Sequence, residues 1–224
     1  VLEPLYIARQ DWPRLARLNE AQLEASSEPG ERLGLTLQIA RIYEEQLEDL
    51  EGAFKWYARV FREDPTDDSV RDQLQRLAQI VDDWPGLARV YQGLLDDEPG
   101  DAPHLREVAI AAATIYDRRL DLWEAGARAY RRVLASPGDT AEDLRLFSRL
   151  EELLSRHGQW MVLADVYDDA INVADDDARR RDLYARKAAV AEGRLNDLDA
   201  AIQAWRSMIE LAAGTDARGD YERA

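Results

Sequence analysis

Apolar residues recur at helical spacing along the 224-residue chain. Ala53, Phe54, Tyr57, Val60 and Phe61 run i, i+1, i+4, i+7 and i+8, and Ala201, Ile202, Trp205, Met208 and Ile209 repeat that register. This spacing puts the apolar side chains on one face of an α-helix. The strict alternation of a half-buried strand is not sustained anywhere. Polar breaks at Glu48-Asp49, Asp82-Asp83, Gly158-Gln159 and Asn196-Asp197 split the pattern into pairs of helices. Turn signals at Pro29-Gly30, Pro65, Pro99-Gly100 and Pro137-Gly138 bound the pairs at intervals of 36, 34 and 38 residues. The elementary unit is therefore a helical hairpin of about 36 residues.

The hairpins repeat in pairs. Asp11-Trp12-Pro13 returns as Asp83-Trp84-Pro85 and, weakened, as Gln159-Trp160-Met161, so the tryptophans step by 72 and then 76 residues. A second landmark, Leu47, Ala53, Tyr57 and Phe61, aligns with Leu120, Gly126, Tyr130 and Leu134 and then with Leu195, Ala201, Trp205 and Ile209, in steps of 73 and 75. These markers predict second helices opening after Asp11, Asp49, Asp83, Asp121, Gln159 and Asp197. The prolines after Trp12 and Trp84 suit a first helical turn, where a missing N–H costs nothing. Such a hairpin cannot bury its apolar face alone, so copies must stack. The expected fold is all-α, about six antiparallel hairpins or twelve helices in one repeat domain. The hairpins fall near 1–27, 28–64, 66–98, 101–136, 139–174 and 175–213, with 214–224 opening a further repeat or forming a tail.

The segment Asp49-Leu50-Glu51-Gly52-Ala53-Phe54-Lys55-Trp56-Tyr57, closing at Arg62-Glu63-Asp64-Pro65, resembles the second helix of the tetratricopeptide repeat family. That helix opens with an aspartate-aromatic pair, carries a small residue three positions on, and ends in proline. Ala53 matches the small packing residue, Tyr57 the aromatic knob and Pro65 the terminator. Leu150 through Gly158-Gln159-Trp160 resembles the family's first-helix leucine and its glycine turn. The repeats are degenerate: the units with Ile42-Tyr43 and Ile115-Tyr116 hold one extra residue before the turn, Val60 and Val133 replace a small residue, and no proline follows Ile209.

The resemblance implies a right-handed α-solenoid whose first helices line a concave groove, and a non-enzymatic scaffold that binds a segment of another protein there. Carried over by position, the groove residues are Leu37, Arg41, Glu44 and Glu45; Arg76 and Ile80; Ile110, Thr114, Asp117 and Arg118; Glu152, Ser155 and Arg156; and Ala185, Ala189 and Glu192. They are chemically mixed, and the family's lysine-asparagine clamp for a terminal carboxylate is not matched. Two alternatives stand beside this reading. One is the half-tetratricopeptide repeat of RNA-processing assemblies, which Trp12, Trp84 and Trp160 would suit; the other is a helical domain of an enzyme or regulator.

Composition narrows the partners. The chain has 45 acidic and 29 basic side chains, a formal charge of −16. That disfavours direct binding of nucleic acid, which needs a basic stripe to displace counterions. The first 100 residues hold 21 acids and 11 bases, so a basic or neutral partner is expected, steered by a field that salt screens. The longest uncharged stretch, residues 108–116, is about half of what a membrane span requires. A soluble protein is expected, the cytoplasm favoured over the periplasm. Of the 29 basic residues 27 are arginine, which suits a GC-rich, bacterial genome. The shortened helix before Trp12 and the position of Tyr221 predict a window from a longer array, whose uncapped ends would allow end-to-end self-association.

Candidate chemistry is sparse. No cysteine is present, which removes thiol nucleophiles and thiolate metal sites. His104 and His157 stand 53 residues apart and are expected as surface side chains near turns. Gly30 and Gly34 lack the lysine and hydroxyl of a phosphate loop. Asp175-Asp176-Asp177 lacks the glycine and distal glutamate of a calcium loop, so it reads as a helix start with three i,i+4 pairs to Arg179, Arg180 and Arg181. Arg128, Arg131 and Arg132 read as an exposed face paired with neighbouring acids, and the tryptophans as packing between helices. No catalytic residue, metal or cofactor is expected.

Overall fold

The computed structural model describes residues 2–97, 102–135 and 140–221. Those residues form twelve α-helices and no strand. They are α1 (Glu3–Ala8), α2 (Trp12–Ala25), α3 (Pro29–Arg41), α4 (Leu50–Glu63), α5 (Asp68–Val81), α6 (Trp84–Asp97), α7 (Pro103–Arg118), α8 (Trp123–Leu134), α9 (Thr140–Arg156), α10 (Trp160–Val173), α11 (Asp177–Val190) and α12 (Leu198–Tyr221). The protein is an all-α helical repeat. It divides into two compact units, Val1–Ile115 and Tyr116–Ala224. In the first, α1 packs on α2, α2 on α3, α3 on α4, α4 on α5, and α5 on α6; in the second, α8 packs on α9, α9 on α10, α10 on α11, and α11 on α12.

Local chemistry sets the helix starts. Asp11, Asp49, Asp83 and Asp197 each accept the backbone N–H three residues on, from Arg14, Gly52, Gly86 and Ala200. This is the N-cap bond that satisfies a first-turn donor. Four of the six predicted second-helix starts are thus aspartate caps. The Asp121 start lies one residue late: Leu122 holds the cap position and makes no side-chain cap bond, and α8 begins at Trp123. Pro29-Gly30 is also no turn. With its fixed φ and no N–H, Pro29 opens α3, and the chain reverses at Ser26 to Glu28 instead. Pro99-Gly100 and Pro137-Gly138 lie outside the described residues.

Every hairpin turn passes through the left-handed region. Gln10, Glu48, Asp82, Asp121 and Asn196 have φ between 51° and 55°, and Gly158 has φ 66°. Each stands immediately before the cap position of a second helix. The closing hydrogen bonds fall into two alternating kinds. Asp11, Asp83 and Gln159 donate to the carbonyls of Tyr6, Ala78 and Leu154, five residues back. Asp49, Leu122 and Asp197 donate to Tyr43, Tyr116 and Ala191, six residues back. The extra residue predicted near Tyr43 and Tyr116 is this longer closure, and a third lies at Ala191. At Ile42–Gln46 and Ala191–Leu195 it is taken up as a π turn, the usual way an inserted residue stays inside a helix.

The core is built from matching second-helix positions. Ala53, Tyr57, Val60 and Phe61 in α4 and Leu87, Ala88, Tyr91 and Leu95 in α6 are buried, as are Leu163, Val166, Tyr167 and Ile171 in α10. Gly126 shows why one of these positions stays small: a Cβ there would stand 3.3 Å from Leu153 Cδ2. Val60 and Val133, which break the family pattern, are 2% and 3% exposed and fill core volume like their neighbours.

Candidate functional site: the first-helix faces

The second helices present buried tyrosines to the first helices. The Tyr57 phenol faces the Glu44 carboxylate, and Tyr91 Oη lies 3.2 Å from Gln75 Nε2. Tyr130 Oη donates to Asp117 at 3.5 Å, and Tyr167 Oη donates to Glu151. Burial, and then the adjoining carboxylates Glu44 and Glu151, push Tyr57 and Tyr167 far above the ordinary phenol range. Tyr91 is pushed up to about 12, with burial the main cause.

The first-helix acids then reach the next hairpin. Glu44 pairs with Arg76 in the first unit. In the second, Asp117 accepts from Arg156 at 2.7 Å and Glu151 from Arg186 at 3.0 Å. Each of Glu44, Asp117 and Glu151 thereby joins a tyrosine of its own hairpin to an arginine of the following one. Asp117 is 8% exposed, and its bond raises the affinity of the Arg156 guanidinium for its proton. A second tie in the first unit, Arg71 to Glu107 at 2.7 Å, links α5 to α7.

This ladder divides the predicted groove residues. Glu44, Arg76, Asp117 and Arg156 are bound to one another in pairs. Arg41, Glu45, Ile80, Arg118, Glu152, Ala189 and Glu192 are exposed, and Leu37, Ile110, Thr114, Ser155 and Ala185 are half-buried. The Thr114 hydroxyl is turned back onto the Ile110 carbonyl at 2.9 Å. In the second unit Asp117, Arg118, Glu152 and Arg156 come together with Arg119, Asp121, Arg149 and Leu153 around an open cleft of about 450 Å³. In the first unit Arg41 and Glu45 border a smaller cleft of about 220 Å³ above α2. Six of the sixteen predicted groove residues thus line these two clefts, and the other ten line neither.

A wider groove of about 590 Å³ runs along the second helices of the first unit, between α4 and α6. Lys55, Arg59, Arg62 and Arg89 line it, against only Glu51 and Asp83. The acidic half of the chain thus carries a basic groove away from the first-helix face. Nothing in the repeat alignment marks it, although Lys55, Arg59 and Arg62 share one face by spacing alone.

Other expectations need adjustment. The pairs at Asp175 to Asp177 are one step shorter than predicted. Asp176 caps α11 by accepting the Arg179 N–H at 2.7 Å, because an N-cap side chain faces the residue three on, and Asp177, the first helical residue, pairs with Arg180 at 3.0 Å. His157 is not a free surface side chain. Its ring stacks on Trp123 with centroids 6.0 Å apart, and its Nε2 lies 3.5 Å from Asp121. Arg131 does pair with an acid, Asp169, at 2.6 Å. The tryptophans are half-buried, and two of them carry guanidinium groups: Arg59 lies 4.4 Å from the Trp56 ring centre and Arg194 lies 4.8 Å from that of Trp160. Among the described residues no three His, Asp or Glu side chains converge as metal ligands would, and no helix is long and apolar enough to cross a membrane.

No family model matches the chain, and no curated protein matches it. Among solved structures it is similar to the crystal structure of BtubC (BKLC) from P. vanneervenii. The identity is 14%, over 96% of this chain and 93% of that one, with a TM-score of 0.38.

Proposed function

We propose that the chain is a tetratricopeptide-like, non-enzymatic scaffold that binds a segment of another protein along its first-helix faces. The observation that carries this reading is the tyrosine–acid–arginine ladder. It ties successive first helices together and leaves Arg41, Glu45, Arg118 and Glu152 outward at open clefts, with Ile80 exposed on α5. Pre-positioned side chains of mixed chemistry bind an extended or helical segment at low ordering cost. The small residues Ala53, Gly126 and Ala201 at one register, with Tyr57 and Tyr130 four residues on, support the tetratricopeptide label. The net charge of −16 favours a basic or neutral segment.

Photo-crosslinking in cells tests the reading. A photoreactive residue at Ile80 or Glu152 should capture one partner polypeptide, and the same residue at Met161 or Arg59 on second helices should not. The captured segment should then bind the purified chain, and Arg118→Glu with Glu152→Arg should weaken it at least about tenfold. Capture from second-helix positions alone would sink the proposal.

A further inference from the structure

In the hairpins closed by a five-residue bond, a second helix that opens on tryptophan places a tyrosine seven residues later: Tyr91 after Trp84 and Tyr167 after Trp160. Both rings are buried, at 0% and 2% exposed. Both phenols meet a polar side chain sixteen residues back, Gln75 and Glu151. In the first hairpin the same count gives Trp12, Asn19 and Glu3. Asn19 is 2% exposed, and its Oδ1 is buried with no hydrogen-bond partner.

The substitution of a short amide for a ring changes what the hairpin encloses. A cleft of about 220 Å³ opens where Asn19 and Glu3 face the second hairpin, with Ile7, Trp12, Leu15 and Ile42 as its apolar walls. Its polar groups are unevenly charged: Glu3 and Glu45 border it with Arg41 as the cation. A buried acceptor without a donor is a standing penalty that an incoming O–H removes. Gln38 and Gln46 also line the cleft, but of its polar atoms Asn19 Oδ1 is the one that is buried without a partner, and apolar walls around such an acceptor suit an amphipathic ring, which buries much area and keeps one polar tip. The two carboxylates disfavour a phosphate or carboxylate group.

Resting on the scaffold reading above, we infer that this cleft takes a tyrosine side chain of the bound protein segment, its hydroxyl donating to Asn19 Oδ1. The partner's ring takes up at the first hairpin the part that Tyr91 and Tyr167 play at the third and fifth. The cleft thereby selects a segment with a tyrosine over one with phenylalanine at that point.

The full chain can be titrated with p-cresol, toluene and n-butylammonium while the Trp12 indole N–H resonance is followed. p-Cresol should bind about fivefold or more tighter than toluene, the factor expected for one net hydrogen bond. Asn19→Tyr should abolish p-cresol binding and raise the thermal midpoint, because the ring then fills the cleft from within. Asn19→Leu should bring p-cresol and toluene to equal affinity. Equal binding of p-cresol and toluene to the unmodified chain would overturn the inference. So would tighter binding of butylammonium, or p-cresol binding that survives Asn19→Tyr; should that variant not fold, an undiminished p-cresol preference in Asn19→Leu does the same. The scaffold reading fails separately: p-cresol binding with no crosslinked partner at Ile80 or Glu152 would leave the cleft standing and the scaffold refuted.

Discussion

Replacing Glu48 by glycine should stabilise the first unit, against the usual expectation that glycine weakens a helical protein. Glu48 has φ 54°, in the left-handed region that costs an ordinary L-residue roughly 1–2 kcal/mol. Its side chain is exposed and makes no hydrogen bond or ion pair among the described contacts, so truncating it removes nothing from the folded state. Glycine relieves the strain but gives the unfolded chain more freedom, at a cost of roughly 0.5–1 kcal/mol. The balance is a gain of about 0.5–1 kcal/mol. Gly158 supplies the reverse experiment at a left-handed turn residue of the second unit. Its φ is 66°, and a Cβ there would meet only Trp160 Nε1 at 3.8 Å, an ordinary contact. Gly158→Ala should therefore cost about 1 kcal/mol through the backbone alone. Asn196→Gly should gain less than Glu48→Gly, because asparagine tolerates this region better than glutamate. Urea titration followed by circular dichroism, with the slope unchanged, reads all three. A destabilised Glu48→Gly beside a neutral Gly158→Ala would refute the reasoning, since both signs come from one dihedral.

Three further outcomes follow from the same geometry. Leu122 occupies an N-cap without a capping side chain and is 52% exposed; Leu122→Asp should raise stability by about 1 kcal/mol in urea titration, matching the caps at Asp49 and Asp83. Alkali should unfold the protein between pH 10 and 12. Tyr91, ordinarily at 10 and pushed up to about 12, is protonated in the fold, so its contribution is intact below pH 10 and disappears as pH rises to 12. That contribution is on the order of 2–3 kcal/mol at most, and Tyr91→Phe should flatten this part of a pH-denaturation curve. Arg156→Gln should lower the thermal midpoint because it leaves the buried Asp117 carboxylate with only the long Tyr130 contact, whereas Arg128→Gln on the exposed face should leave it unchanged.

What the sequence disclosed depended on whether side chains or backbone carried the signal. The second-helix starts were legible because aspartate, tryptophan and proline each mark a helix opening by their own chemistry, and Leu122 was missed because the residue at that cap is apolar. The turn read into Pro29-Gly30 failed for a related reason: proline signals a change of direction and a helix start alike, and only the backbone around Ser26 decides between them. The longer closures were half visible as an extra residue near Tyr43 and Tyr116. Their third member at Ala191 and both π turns are arrangements of peptide hydrogen bonds, which no residue type announces. The residues carried over as groove positions do lie on or at the ends of first helices, but the pairing of Glu44 with Arg76 and of Asp117 with Arg156 needs side chains 32 and 39 residues apart to meet. The asparagine at position 19 was readable in principle, since a count of seven from Trp84, Trp123 and Trp160 meets tyrosine and the same count from Trp12 does not.

The alternation of five-residue and six-residue closures has a consequence for how such a chain can lengthen or shorten. A hairpin is not interchangeable with its neighbour, because its first helix is cut to one closure and its second helix is registered to the tyrosine partner thirteen or sixteen residues back that this closure dictates. Removing one hairpin would set two like closures side by side and break their alternation. Removing two in succession would leave every register as it was. The heritable module, and the one an engineer should cut and paste, is the pair.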